Sequence, residues 1–317
     1  MPAKVVVVGS VNVDLAVRVP HLPRPGETVT GGGLEESAGG KGANQAVAAA
    51  RLGVTTVLIA RVGDDAFGRR AREGLAAAGV GVAAVTAAAT ATGTALIVID
   101  PEGENTITVS PGANADLDSE SVEAEAGRLA GAGAMLLQLE VPVATCLTAA
   151  GLAKAAGVPV VLNAAPLPGV IGAELSELIA MADVLVVNEV EAADLLGGGA
   201  GLDLLELPAA LGRLGPAEVV VTLGARGCGA HRPGRGRCPR PGLRGGGGGR
   251  GRGGGRVLCG AGGGPGRGRR RTRRGGPPGL RGRGAGHHAA RGAGGPAHPG
   301  RGGRLPRRAG RCPELTG

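Results

Sequence analysis

Short apolar runs alternate with helix-period segments over the first 227 residues. The runs are rich in Val, Ile and Leu and end at Gly or polar residues; they cover residues 5–8, 56–60, 134–139, 158–162, 184–187 and 219–222. Ala-rich segments with apolar residues at helical spacing lie between them, at 43–52, 67–78, 119–129, 144–156, 174–180 and 189–196. This repetition predicts an α/β fold, a doubly wound, mostly parallel sheet with helices on both faces.

One segment departs from that rhythm. Residues 95–99 and 106–109 are apolar and flank the turn sequence 100–105, which predicts a β-hairpin. Together with the Gly-rich segment at 31–33, it indicates a small β appendage on the main domain.

Charge and glycine content change abruptly after Gly227. The first 227 residues hold 13 Lys and Arg against 25 Asp and Glu, whereas residues 228–317 hold 22 Arg, 33 Gly and a single acid, Glu314. Val, Leu and Ile number only six in this tail, too few to offset the chain entropy lost on folding. We therefore expect a folded domain at 1–227 and a disordered Gly/Arg-rich tail at 228–317.

Cysteine usage and hydropathy bear on the compartment. Cys146 stands alone in the first 227 residues, and the four tail cysteines have no metal-ligand spacing, which favours a reducing cytoplasm. The N-terminal apolar run is shorter than a signal peptide requires, and no run is long enough to span a membrane. We expect a cytoplasmic protein without a membrane partner.

Polar residues directly follow several of the predicted strands. In a doubly wound sheet, ligands bind beyond the carboxyl ends of the strands. Asn, Asp and Gly also terminate strands and cap helices without any ligand, so each position keeps that alternative. The positions are Asn12 and Asp14, Glu140, Asn163, Asn188 and Glu191, and Thr222 and Gly224.

Two motifs have features of a ligand site. Asn12 and Asp14 are two residues apart, so in an extended segment they project from one face and can hold adjacent sugar hydroxyls; the alternative is a strand-end turn. The segment 37–46 places Gly39, Gly40 and Gly42 around Lys41 at the start of a helix, where a ligand can approach the backbone. It lacks P-loop spacing, and its alternative is a turn with a solvated lysine.

These motifs, in this order, resemble the ribokinase family of sugar kinases. The resemblance covers residues 4–227 and rests on Asn12-Val-Asp14, Gly39-Gly-Lys-Gly-Ala-Asn44, Gln138-Leu-Glu140, Asn188-Glu-Val-Glu191 and the segment 221–227. It implies a ribokinase-like fold in which residues 1–227 form an incomplete sugar kinase domain with a small β lid from about residues 15–37 and 92–110. It also implies transfer of the ATP γ-phosphate to the primary hydroxyl of D-ribose.

The resemblance also implies roles for individual residues. Asn12, Asp14, Gly40, Lys41, Asn44 and Glu140 would bind the sugar; Asn188, Thr222, Gly224 and Gly227 would bind ATP; and Glu191 would bind Mg²⁺. It further implies a homodimer formed through the β lid and a K⁺ site, although the residues of a K⁺ site are not recognisable here.

The catalytic motif of the family, Gly-Ala-Gly-Asp, is missing, because no Asp follows Asp203. Gly, Arg, Pro and Ala have codons GGN, CGN, CCN and GCN, so a GC-rich gene read out of frame gives this tail composition. One permitted codon string for residues 252–258, CGG GGC GGG GGA CGC GTT CTG, shifted by one base, encodes Gly-Ala-Gly-Asp-Ala-Phe. We predict a frame change near Gly227, with the expected Asp replaced at Gly255, and little or no kinase activity.

The alternative is a non-catalytic sugar-binding pseudoenzyme with a cationic tail. A segment with a net charge of +21 binds nucleic acid nonspecifically through phosphate contacts. The tail contains no aromatic residue to stack on bases, so we expect any such binding to be nonspecific and salt-sensitive.

Overall fold

The computed structural model describes residues 3–198, 203–204 and 206–232. The predicted disorder of residues 233–317, and the expected catalytic position Gly255, lie outside these described residues.

Twelve strands and seven α-helices are assigned within the described residues. The strands are β1 (Lys4–Val8), β2 (Asn12–Arg18), β3 (Leu34–Gly39), β4 (Thr55–Gly63), β5 (Val80–Ala88), β6 (Gly93–Ile99), β7 (Asn105–Ser110), β8 (Ala134–Gln138), β9 (Val160–Asn163), β10 (Val184–Asn188), β11 (Glu218–Thr222) and β12 (Cys228–His231). The helices are α1 (Lys41–Arg51), α2 (Ala66–Ala77), α3 (Ser119–Ala124), α4 (Val143–Ala155), α5 (Ala173–Met181), α6 (Glu189–Leu195) and α7 (Leu207–Leu211).

The main sheet has the order β12-β11-β10-β9-β8-β1-β4-β5. All neighbouring strands in it are parallel except β11 and β12. Parallel neighbouring strands need crossover connections, and the helices between the strands provide them. The predicted α/β architecture is therefore confirmed.

The β lid is a separate sheet with the order β3-β2-β6-β7. Strands β6 and β7 form the predicted hairpin, and β2 pairs in parallel with β6. The lid strands run from Asn12 to Gly39 and from Gly93 to Ser110, so the first part of the lid is longer at both ends than predicted.

The folded chain continues for at least four residues past the domain boundary predicted at Gly227. Residues Cys228–His231 form β12, which pairs antiparallel with β11 in a register that matches Cys228 with Thr222. The change in composition after Gly227 suggested that the folded chain ended there. The turn at Gly224–Arg226 nevertheless reverses the chain and lets the next four residues complete the edge of the sheet.

The two faces of the main sheet are covered differently. Helices α3 to α7 bury their apolar side chains on one face, here called the α4 face, together with Leu137, Leu162, Leu185 and Val219, each 0% exposed. Burying one such side chain contributes roughly 1.5–3 kcal/mol. On the opposite face, here called the α1 face, helices α1 and α2 pack over β1, β4 and β5 around Leu58.

Candidate functional site

The Glu140 carboxylate is held where α1 begins. Its Oε2 accepts a hydrogen bond from the Ser10 hydroxyl at 2.5 Å and one from the Lys41 backbone N–H at 2.8 Å. The Gly42 N–H donates to Ser10 Oγ at 3.2 Å. The first N–H groups of a helix have no intrahelical acceptor and favour negative charge, which explains why this carboxylate is stable there.

The other Glu140 oxygen has a different environment. Oε1 lies 4.0 Å from the Lys41 ammonium, and the Glu140 side chain is 14% exposed.

The backbone before Lys41 requires glycine, because Gly40 has a φ of +90° and a Cβ there would lie 2.7 Å from the Asn12 backbone N. Gly40 therefore shapes the site through its backbone.

Asn12 is fixed by a buried asparagine that the sequence analysis did not identify. Asn114, 1% exposed, donates from Nδ2 to Asn12 Oδ1 at 2.6 Å and accepts from the Val11 N–H at 2.8 Å. Asn114 lies in the short 3-10 helix Gly112–Asp116, which follows the last lid strand. Because the oxygen of Asn12 is already engaged, its NH₂ group is the part available to a ligand.

Asp14 lies on the lid beside Glu140 and Lys41. Burial and the neighbouring Glu140 carboxylate raise its pKa, and the Lys41 ammonium opposes that rise. Gly39, the cross-strand partner of Asn12, lies beside this carboxylate, and a Cβ there would lie 2.0 Å from Asp14 Oδ1. Glycine is thus the residue that leaves room for this carboxylate.

A cavity of about 370 Å³ opens between the lid and the end of β8. This volume lies at the small end of the roughly 300–1,000 Å³ range of small-molecule pockets. Polar groups of Asn12, Asn114 and Glu140 meet an otherwise apolar wall that includes Val109, Leu139 and Pro166. The structure thus brings Asn12, Asp14, Gly40, Lys41 and Glu140 together, whereas Asn44 is exposed on α1.

The predicted nucleotide side lies at the ends of β10 and β11. Asn188 and Thr222 are register partners in adjacent strands. Asn188 also caps α6: its Oδ1 accepts from the Glu191 N–H, and Glu191 Oε2 accepts from the Asn188 N–H, both at 2.8 Å. The capping alternative is therefore realised for this pair, which uses one of the two Glu191 oxygens.

The turn after β11 is compact. The Leu223 N–H donates to the Gly227 carbonyl at 2.8 Å, and Gly224 and Gly227 both have positive φ. A Cβ on Gly224 would meet no atom of the described residues within 4 Å, so among these residues its backbone is open to an approaching group.

Lys41 connects the two sides electrostatically. Burial raises the pKa of Glu191, while the Asn188 N–H and the Lys41 ammonium oppose this rise. Lys41 acts on the pKa of Asp14 in the same direction. One ammonium group is thus close enough to influence carboxylates on both the predicted sugar side and the predicted nucleotide side.

Sequence comparisons identify the family. The profile described as pfkB family carbohydrate kinase matches residues 2–241. This chain belongs to the pfkB family of carbohydrate kinases. A ribokinase of Haemophilus influenzae is 37% identical over 236 residues, which are 73% of this chain and 75% of that protein. The predicted resemblance is confirmed, and the lineage is that of ATP-dependent sugar kinases.

Solved structures agree with the family assignment. Arabidopsis thaliana ribokinase, determined with ribose and ATP, has a TM-score of 0.68 and 32% identity, covering 76% of this chain and 78% of that one. Thermotoga maritima ribokinase has a TM-score of 0.67 and 30% identity, covering 75% and 77%. The ribokinase-like fold is thus confirmed. Within the described residues, no helix is both long and apolar enough to cross a membrane.

Proposed function

We propose that the chain retains the D-ribose cleft of a ribokinase, whose reaction transfers the ATP γ-phosphate to the primary sugar hydroxyl. The observation that carries the proposal is the held carboxylate of Glu140. Ser10 and the start of α1 engage Oε2, and Oε1 remains beside the cavity to accept a hydroxyl. A charge-assisted hydrogen bond of this kind is about twice as strong as a neutral one.

The other sugar contacts follow from the same geometry. The Asn12 NH₂ group donates, the Asp14 carboxylate accepts, and the Lys41 ammonium donates, which together satisfy adjacent hydroxyls in both directions. Asn44 contacts the sugar as well only if the sugar reaches the exposed first turns of α1. The apolar wall at Val109 and Leu139 covers the carbon skeleton of the sugar and excludes water.

The described residues fit a nucleotide and Mg²⁺. ATP supplies the phosphoryl group, and Mg²⁺ neutralises its charge. Asn188, Thr222, Gly224 and Gly227 would contact the nucleotide, and Gly224 offers an open backbone for this. Glu191 has one oxygen outside the capping box, which suits an ion that binds through one or two carboxylates and retains water.

We propose that turnover by this chain is very low. General-base catalysis contributes about 10²–10⁴-fold to a rate, and no Asp follows Asp203 to supply the base at the position occupied by Gly255. We attribute this to a frame change near Gly227, which sequencing of the gene across the codons for residues 215–265 tests directly. A one-base difference that restores Asp near 255 would support it.

Ribose calorimetry and a coupled kinase assay test the proposal together. We expect saturable D-ribose binding, its loss in Glu140→Gln, and unchanged binding in Glu102→Gln, a matched control in the exposed β6–β7 turn. We expect ADP release close to the background rate. Absence of ribose binding by a folded chain would overturn the sugar site, and robust ribose phosphorylation would overturn the inactivity.

The alternative is a pseudoenzyme that binds nucleic acid, and the positive charge of the tail is the only feature that supports it. Its 22 Arg predict association with RNA or DNA that weakens steeply with salt. Filter binding between 50 and 500 mM salt tests this, and sequence-selective, salt-resistant binding would favour the alternative.

We also propose a homodimer through the lid in the cytoplasm. Leu34 and Leu96 are 68% and 52% exposed and share the lid face opposite the one that carries Val109, which supports an interface there. Sedimentation of Leu96→Asp against the parent chain tests it, and an unchanged mass distribution would contradict it.

A further inference from the structure

A second cavity, of about 290 Å³, lies on the α4 face at the β4–β5 edge of the main sheet. Ile59 and Ala84 of these strands and Leu117, just before α3, form its apolar floor, and each is at most 2% exposed. None of the residues that line it also lines the sugar cavity. This space, here called the Arg61 cavity, is therefore separate from the site described above.

Arg61 supplies the positive charge on the wall of this cavity. Its Nη2 donates to the Ser121 hydroxyl oxygen at 2.6 Å. Its Nε is shielded from solvent and makes no hydrogen bond within the described residues. A guanidinium carries five N–H donors, and buried donors are ordinarily paired. Arg61 thus has a buried donor for which the described part of the chain supplies no acceptor.

The two carboxylates near Arg61 are engaged by other groups. Glu125, which also lines the cavity, accepts a hydrogen bond from Arg128 Nε. Asp118 caps α3, and hydrogen bonds from the Ser121 hydroxyl and N–H lower its pKa, with a smaller contribution from the Arg61 charge. Ser121 therefore orients the guanidinium, and among the described residues neither carboxylate forms a hydrogen bond with it.

These surroundings favour a singly charged anion with an apolar part. A planar carboxylate matches the donor geometry of a guanidinium. Phosphate would bring more negative charge close to Asp118 and Glu125, and like charges at short range disfavour each other. The volume is slightly below the roughly 300–1,000 Å³ of drug-sized pockets, so the ligand is small, and the apolar floor suits a short hydrocarbon chain.

We propose that the Arg61 cavity binds a small monocarboxylate with a short apolar chain. The carboxylate pairs with the Arg61 guanidinium, which turns about its last side-chain bonds so that Nε donates to the ligand. The Thr86 hydroxyl, on the same wall, adds a further donor, and the hydrocarbon chain packs on Ile59 and Leu117. The inference rests on the β4, β5 and α3 side chains alone and is independent of the proposed sugar site.

Titration of the full chain with butyrate, followed by NMR of arginine Nε–H groups, tests the site. The Arg61 signal is the one that is absent from Arg61→Gln. We expect a saturable shift of this signal and a dissociation constant at least about tenfold lower for butyrate than for butyramide, an uncharged ligand of the same size. Salt at about 0.15 M screens the attraction of butyrate to the 22 Arg of the tail.

Three variants locate the binding, with saturation transfer from protein to butyrate as the measurement. Arg61→Gln removes the charge, and we expect binding to weaken by about tenfold or more. Arg72→Gln removes the same charge from an exposed position on α2 and leaves binding unchanged. Ala124→Leu adds bulk at an exposed wall of the cavity without changing charge, so it weakens binding and tests the cavity even if Arg61→Gln does not fold.

Several results would overturn the proposal. No saturable shift, equal affinity for butyramide, or equal binding by the parent and either cavity variant would remove the site. Tighter binding of inorganic phosphate than of butyrate would overturn the carboxylate as the ligand class. Displacement of butyrate by ribose would show that the two cavities are not separate, whereas loss of ribose binding alone refutes only the sugar cleft.

Discussion

Replacement of Ser10 by Ala tests the central contact of the site. Ser10 is completely buried, and its hydroxyl donates to Glu140 Oε2 while accepting from the Gly42 N–H. A hydrogen bond to a charged group contributes about 1.5–3 kcal/mol, and leaving a buried N–H unpaired costs about 1–3 kcal/mol. Because the methyl group of Ala fits the same space, we expect Ser10→Ala to lower the free energy of unfolding by about 3 kcal/mol.

Urea unfolding at neutral pH measures this loss, and ribose calorimetry at a stabilising temperature measures its functional consequence. We expect weaker ribose binding, because Glu140 is no longer held towards α1. Ser176→Ala is the matched control: its hydroxyl bonds to the Gly172 carbonyl on an exposed helix surface, so a change within about 0.5 kcal/mol is expected. A loss below about 1 kcal/mol together with unaltered ribose affinity for Ser10→Ala would refute the role given to this hydroxyl.

Three other predictions concern single positions. Gly40→Ala places a Cβ 2.7 Å from the Asn12 backbone nitrogen at a φ of +90°. We therefore expect the free energy of unfolding in urea to fall by about 1–3 kcal/mol and ribose binding to be lost. Stability and ribose binding equal to those of the parent chain would contradict the geometry. Burial raises the pKa of Asp65, but hydrogen bonds from Thr92 and the Gly68 N–H outweigh burial and lower the pKa below its usual value. The ionised Asp65 therefore stabilises the fold at neutral pH, and this stabilisation is lost as the pH falls through the lowered pKa. Asp65→Asn should therefore flatten the acid limb of stability against pH, and an unchanged limb would count against it. Burial raises the pKa of the Cys146 thiol to about 12, so native protein at pH 8 should leave Cys146 unlabelled by a thiol reagent in peptide mass mapping, whereas urea exposes it.

Local patterns predicted the strands, the hairpin and Glu140, because each is visible within about ten residues of sequence. The contacts that hold the site are not local. Ser10 and Glu140 are 130 residues apart, and Asn114 is 103 residues from Val11, so no periodicity connects them. A polar residue after a lid strand, such as Asn114, was the available signal, but the sequence alone did not say what it faces.

Two other features depended on tertiary structure. Strand β12 follows a change in composition that marks a boundary in sequence but not in the sheet, because backbone pairing with β11 needs no particular side chains. The partial burial of Val161 and Val186 on the α1 face was also invisible in sequence, since apolar runs predict strands buried on both faces.

Lys41 affects how any experiment on the cleft is interpreted. Its ammonium acts on the pKa of Asp14 on one side and of Glu191 on the other. If sugar and nucleotide bind as proposed, a ligand that draws the ammonium towards one side changes the field at the other, so we expect occupancy of the two subsites to be energetically linked through one side chain. By thermodynamic reciprocity, sugar must then change nucleotide affinity by the same factor as nucleotide changes sugar affinity. A Lys41 substitution therefore alters this linkage as well as a single contact.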